Sequence, residues 1–210
     1  MMVNYEVTLP KKVKEQSWRL DPRNILPEVR SQGHYRTCVF FAVIGAVEGR
    51  HRLHMIRNNP DHETVPQLSV QDCIDGIQEV PIDPARCLDW IIEHGVVPEH
   101  DWPYIGEPQG GHVLGGGRTS VVNGYRIIIK PGKEHAERIV EEIMEGGPIV
   151  GILSFPPDFW HAVILIGGVY KDDRVDNYVI QNSWGAGWEE DGRGLVPISC
   201  LVEAYVPVLG

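Results

Sequence analysis

A thiol, an imidazole and a carboxamide, widely spaced along this sequence, would together support acyl-transfer chemistry. Cys38 opens the apolar run Val39-Phe40-Phe41-Ala42-Val43 and follows Gln32-Gly33-His34-Tyr35-Arg36-Thr37. That pattern predicts a helix starting at or beside the cysteine. Unpaired backbone N–H groups and the helix dipole favour negative charge at such a place, and a thiol there ionises more readily. His161 lies 123 positions after Cys38, and Asn182 lies 144 positions after it. An imidazole takes the thiol proton and later returns one to a leaving amine, and a third group holds the imidazole in the required tautomer.

The elements that must position these groups are readable in outline. Val39, Phe40, Val43, Ile44, Val47, Leu53 and Ile56 repeat at largely helical spacing over residues 38–57, with Asn58-Asn59-Pro60 as the stop. A second helix is expected after Ser69, with Leu68 before it and Gln71-Asp72 in its first turn, and a third over Pro84 to His94, closed by Gly95. From Val121 onward the pattern changes. Val121-Val122, Tyr125 to Ile129, Pro148 to Leu153, His161 to Val169 and Asn177 to Gln181 read as strands, and His135 to Glu145 as an amphipathic helix. The opening to about residue 30 reads as extended coil. A helical first half and a strand-rich second half imply an α+β chain with a cleft between two subdomains.

Between the halves, residues 106–120 are glycine-rich. A phosphate-cradling loop would end in Gly-Lys-Ser/Thr and open a helix; neither is present, and a flexible linker is the expectation.

With 19 basic against 29 acidic residues the formal charge is -10, and no Lys/Arg-rich run is present. Nucleic-acid binding, which needs cations to neutralise phosphates, is not expected. No apolar run reaches the length of a membrane span, and Met-Met-Val-Asn-Tyr-Glu lacks the apolar core of a signal peptide. A cytoplasmic protein is expected if Met1 is the native start; a removed leader would point instead to lysosome, vacuole or secretion. Cys38, Cys73, Cys87 and Cys200 form no C-x-x-C pair and fit a reducing compartment, although four cysteines also allow two bridges. Cys73, Cys87 and Cys200 are expected to be buried small hydrophobes. Most histidines, including His51 and His54, read as surface residues. No cofactor or metal is called for.

From Ser17-Trp18-Arg19 to Gly192 the sequence resembles the papain-like cysteine proteases, the family that includes the cathepsins. Three motifs carry the likeness. Val29-Arg30-Ser31-Gln32-Gly33, with Cys38 six residues after Gln32, is similar to the family's V-K-x-Q-G-x-C-G-S-C-W. His161-Ala162-Val163-Ile164-Leu165-Ile166-Gly167-Gly168 resembles H-A-V-x-x-V-G-Y, and Tyr178 to Trp188 resembles Y-W-x-x-K-N-S-W-G-x-x-W. The Cys, His, Asn order and spacing agree with that family.

The resemblance implies a papain-like fold, a single catalytic domain over 1–210, with a helical part over about 17–105, a linker at 106–120 and an antiparallel, β-barrel-like part over about 121–200. It implies roles as well. Cys38 would be the nucleophile, His161 the base and Asn182 the residue that orients it. The Gln32 amide and the Cys38 backbone N–H would form an oxyanion hole, and Trp184 would shield the His161–Asn182 bond. Arg36, Trp160, Ala162 and Trp184 would face the substrate.

The departures are local to the cleft. Tyr35, Arg36 and Val39 stand where the family pattern has Cys, Gly and Trp, so the disulfide expected from the Tyr35 position to the segment near Gly76 cannot form. Arg36 favours a thiolate by charge and narrows the approach by bulk. The family's C-x-G-G segment is replaced by Ile77 to Pro84, and Trp160 replaces Asp or Asn before the histidine. About sixteen residues precede Ser17, so no propeptide is expected within the chain. Two functions of different class follow: a thiol hydrolase acting on peptide or protein substrates, or a catalytically impaired module that binds a protein inhibitor or partner in its cleft. Acyl transfer to an amine shares the hydrolase's intermediate and stays open beside it.

Overall fold

A computed structural model describes residues 12–58, 65–110, 115 and 117–210. Asn59-Pro60 and residues 111–114 and 116 of the glycine-rich stretch lie outside the described residues. The helices are α1 (Cys38–Asn58), α2 (Val70–Ile77), α3 (Pro84–His94) and α4 (Ala136–Gly146). The strands are β1 (Val13–Ser17), β2 (Val122–Ile129), β3 (Ile149–Phe155), β4 (Phe159–Lys171), β5 (Arg174–Gln181), β6 (Arg193–Pro197) and β7 (Leu201–Leu209).

The helix ends follow from local chemistry. Ser69 caps α2 by accepting from the Asp72 N–H at 2.9 Å, and Asp83 caps α3 by accepting from the Ala85 N–H at 2.7 Å, with Pro84 in the first turn. Helix α1 is buried almost all round from Val39 to Arg50, so its β-branched valines and isoleucine are held helical by packing that outweighs their modest propensity. Its close contact with β4 is made at Gly45, where an added Cβ would fall 2.3 Å from Cδ1 of Ile164. That approach brings the start of α1 toward the part of β4 that holds His161.

All strand pairs are antiparallel, in the order β2-β7-β3-β4-β5-β6. The two outer strands do not pair, so the sheet is open and not closed into a barrel. One edge of β4 explains this. Residues 159–165 of that edge take β3 and residues 167–171 take β1, so β1 lies in line with β3 beside β4 instead of bridging the outer strands. The N-terminal segment, expected as coil, is therefore partly a strand. Trp18, which follows it, is buried and donates from Nε1 to the Ile143 carbonyl at 2.7 Å, tying the segment to α4.

Gly167 is required where β1 crosses β4, because an added Cβ would lie 2.2 Å from the Gln16 carbonyl oxygen. A backbone atom cannot yield as a flexible side chain would. Gly167→Ala is expected to destabilise the fold by about 1–3 kcal/mol, as overpacked sites do; the denaturation midpoint measures it.

Two apolar cores lie on opposite faces of the sheet. Val150 and Ile152 of β3 join the core with α1, α2 and α3, whereas Ile149 and Leu153 join the one with α4. The alternation follows from the two-residue repeat of a strand buried on both faces.

The described ends of the glycine-rich stretch are pinned, not loose. Gln71 Oε1 accepts from the backbone N–H groups of Ile105 and Gly106, and Asp75 Oδ1 from that of Gln109. Arg118 donates to the buried Asp72 carboxylate at 2.5 Å and to the His94 and Gly95 carbonyls. Composition alone does not reveal such anchors.

All four cysteines are free. Cys73 and Cys87 are buried as expected, but Cys200 is partly exposed, because it sits in a short 3-10 turn at the sheet's margin. His51 and His54 are half-buried along α1, not surface residues, because the helix is packed on most sides.

Candidate active site

Cys38 is the first residue of α1, and the carbonyl of Thr37 accepts from the Phe41 N–H at 3.3 Å, so the helix begins at the thiol. The turn before it is held from beneath. The Tyr104 hydroxyl donates to the Gln32 carbonyl at 3.0 Å, which leaves the Thr37 hydroxyl to donate to Tyr104 at 2.8 Å. Both Thr37 and Gln32 are buried.

His161 lies near the start of β4, and Asn182 follows the end of β5. These strands are neighbours, with Ile164 paired to Gln181. His161 Nε2 and Asn182 Oδ1 are 2.7 Å apart in a buried contact, and Asn182 Oδ1 also accepts from the Ser183 backbone N–H at 2.8 Å. A backbone N–H can only donate, so the oxygen of the Asn182 amide must face it. His161 Nε2 is therefore the donor to that same oxygen, and Nδ1 is left as the ring's proton acceptor. Sequence neighbours thus determine the tautomer.

The Trp184 ring stacks on the imidazole, with centroids 4.7 Å apart, and Phe159 stands 5.9 Å away in a near-parallel orientation. His161 is only 6% exposed. Burial is the larger influence on its pKa and lowers it from the ordinary 6.5, while the hydrogen bond it donates to Asn182 raises it in part. The imidazole is held neutral near neutral pH, the form that accepts a proton.

Gln32 is fixed at both ends of its amide. Oε1 accepts from the Ser183 hydroxyl at 2.6 Å, and Nε2 donates one hydrogen to the Tyr35 carbonyl at 2.5 Å. A primary amide has two N–H donors, so one remains for a ligand. The Gln32 N–H also donates to the Ser183 carbonyl at 2.8 Å. Ser183 therefore links the segment before Cys38 to the segment after β5, with one bond each to Gln32 side chain, Gln32 backbone and Asn182. Its place beside Asn182 in the third motif was a visible signal of that task, although its identity alone gave no role.

A cleft of about 670 Å³ brings together Gln32, Arg36, Cys38, His161, Ala162 and Trp184, and Trp160 lines it too. All eight residues singled out for catalysis or substrate contact are therefore placed: seven on the cleft, and Asn182 behind His161. Val39 and Asp83, both at positions that depart from the family pattern, also line the cleft, and Ile152 and Glu203 complete parts of the wall that the motifs did not indicate. Trp160 is 59% exposed, so it stands at the rim without filling the space. Among the described residues no helix is long and apolar enough to cross a membrane.

Two of three comparisons with known proteins find cysteine proteases as relatives and structural neighbours. No family model matches the chain. A cysteine protease of Blomia tropicalis is 26% identical over 210 residues, covering 85% of this chain and 59% of that protein. Cathepsin K of Gallus gallus is 25% identical over 202 residues, covering 85% of this chain and 57% of its own length. The chain thus spans somewhat over half the length of these relatives. Among solved structures, one from work on the mite allergens Blo t 1 and Der p 1 superposes with a TM-score of 0.75 at 24% identity, covering 99% of this chain and 74% of the other. The Carica candamarcensis cysteine protease CMS1MS2, in complex with E-64, gives a TM-score of 0.72 at 19% identity, covering 92% of this chain and 97% of that one. The chain has the papain-like fold, and its sequence is similar to those of cysteine proteases and cathepsins.

Proposed function

We propose that this protein is a cysteine-type peptidase that cuts peptide bonds through an acyl-enzyme intermediate. The observation that carries the reading is the fixed tautomer of His161, which leaves Nδ1 ready to take a proton from a group in the cleft. In this reading Nδ1 accepts the Cys38 proton as the sulfur attacks the substrate carbonyl, forming the C–S bond and an oxyanion. The second N–H of Gln32 and the Cys38 backbone N–H, at the start of α1, stabilise that charge. The tetrahedral species collapses with loss of the amine, which takes the proton from His161. Water then attacks the thioester with His161 again as base, releasing the acid and restoring the thiol.

Asn182 keeps the ring oriented, and Trp184 covers the hydrogen bond between them. Relatives named as cysteine protease and cathepsin, and a neighbouring fold bound to E-64, support a cleft that receives peptide-like molecules.

Cleavage of short unrelated peptides, lost on Cys38→Ala, is the expected result. Product mass separates hydrolysis from transfer to an added amine. The alternative, a protein-binding module without turnover, is favoured by Arg36 and Trp160 at the cleft. Absence of cleavage by a folded sample that still binds peptide would establish it.

A further inference from the structure

The two outer strands of the sheet are guarded differently. Strand β6 (Arg193–Pro197) is short, with an arginine at its start and a proline at its end, features that blunt an edge against further pairing. Strand β2 (Val122–Ile129) is longer, and its second half reads Arg126-Ile127-Ile128-Ile129. Among the described residues it pairs with β7 alone. Ile127 is 44% exposed and Ile129 66% exposed. A long, apolar, unpaired edge is a template for another strand.

The direction of its backbone groups follows from one bond. The Lys130 N–H donates to the Val202 carbonyl at 2.7 Å, continuing the register in which Ile128 stands opposite Ala204 and Arg126 opposite Val206. In an antiparallel ladder, hydrogen-bonded and non-hydrogen-bonded positions alternate. Arg126, Ile128 and Lys130 therefore turn their N–H and C=O groups toward β7, whereas Tyr125, Ile127 and Ile129 turn theirs outward. The side chains divide in the same rhythm. The Tyr125 hydroxyl donates to Asp89 of α3 at 3.0 Å, and Arg126 pairs with Glu142 of α4 at 2.5 Å. Ile127 and Ile129 thus share the α3 face with Tyr125.

We propose that β2 is the interface between two copies of this chain, each strand pairing antiparallel with the other across a two-fold axis at Ile127. Ile127 then meets the partner's Ile127, and Tyr125 meets the partner's Ile129, each pair exchanging N–H···O=C bonds through groups that already face outward. Opposite residues share a face, so the exposed isoleucines of both copies form one apolar strip ending in the two tyrosines. Charge selects this register. Arg126 falls opposite the partner's Ile128, and Lys130 opposite the partner's Gly124. Sliding by two residues sets Arg126 against the partner's Arg126 in one direction and against the partner's Lys130 in the other. Like charges directly opposite are destabilising. Ile129 is opposite Glu203, Glu203 opposite Ile152, and Ile152 opposite Ala162. The cleft residues Ile152 and Ala162 of both copies therefore lie on one face of a continuous sheet. The inference does not rest on the peptidase reading, since its test reads assembly alone.

Sedimentation velocity over a concentration series measures the assembly, in raised salt to screen the repulsion between two chains of formal charge -10. A monomer–dimer equilibrium with a dissociation constant on the order of micromolar is expected, as for a small transient interface. Ile127→Lys sets like charges opposite each other at the axis and is expected to weaken the dimer by roughly tenfold or more. Because that side chain is exposed, circular dichroism and melting temperature should stay those of the unaltered protein. Position is read separately by Ile127→Cys in a Cys38→Ala, Cys200→Ser background treated with diamide. Its Cα lies about 5.5 Å from its symmetry mate, within disulfide reach, so a covalent dimer forms. Arg126→Cys in the same background stands about 8 Å from its mate and stays unlinked.

A sample that remains monomeric throughout the series overturns the proposal. So does a dimer that Ile127→Lys leaves intact, and so does linkage through Arg126→Cys without linkage through Ile127→Cys.

Discussion

Replacing His161 by alanine is expected to lower kcat/KM for a short peptide by roughly 10²–10⁴-fold, the usual worth of a positioned general base. The size of the loss follows from how fully the ring is prepared. Its tautomer is set by the Asn182 oxygen, itself held by the Ser183 N–H, and one face is covered by Trp184. Asn182→Ala should cost less, because the base stays and loses only its tether. The pH profile distinguishes a tether from a merely structural residue. Burial lowers the His161 pKa from 6.5, so the acid limb of kcat/KM should fall below pH 6.5. The Asn182 bond opposes that shift, so Asn182→Ala should move the limb lower still.

The same depression makes a stability statement. Because the folded pKa lies below the unfolded one, the contribution of neutral His161 is present above pH 6.5 and is lost as pH falls through the folded value.

Arg118→Ala is expected to cost about 3–5 kcal/mol of stability, as removal of one partner of a buried ion pair does. Asp72 has a fully buried side chain, and that of Arg118 is 12% exposed. The substitution leaves a carboxylate in the interior without its guanidinium. It also frees the His94 and Gly95 carbonyls and removes a cation from the face of Trp90, 5.1 Å away. Desolvation is the dominant part of the loss, since the carboxylate that remains is fully buried. Urea unfolding followed by tryptophan fluorescence measures it. A change within a few tenths of a kcal/mol would mean that Arg118 is a surface residue in solution.

The elements that the sequence made legible are those with strong local chemistry. Helix α3 runs from Pro84 to His94 and is closed by Gly95, as the sequence indicated; the Asp83 cap is seen only in the structure. The Cys38, His161 and Asn182 settings were readable because each sits in a run of unusual residues. Strand β1 was not legible, since Val-Lys-Glu-Gln-Ser is mostly polar and becomes a strand only by pairing with Gly167-Gly168 and their neighbours.

Strand β7 was hidden for another reason. Pro207 argues against a central strand, yet β7 lies between β2 and β3. Pairing with β3 stops at Tyr205, so beyond that point the proline meets only one neighbouring strand. Missing β7 also meant missing Glu203, whose cleft position depends on register between strands far apart in sequence. Motifs revealed the groups that could react, whereas part of the cleft wall came from pairing that no local pattern encodes.

The central claim is that Cys38 is activated by its surroundings and not merely reachable. Cys38 and Cys200 are both partly exposed, whereas Cys73 and Cys87 are buried. Exposure alone would let an electrophile reach two thiols. Incubation of the folded protein with a peptidyl epoxide, followed by intact mass and peptide mapping, separates the two cases. The account predicts one equivalent of label, on Cys38, and none on the Cys38→Ala protein. No label on the folded protein, or label shared with Cys200, would contradict it.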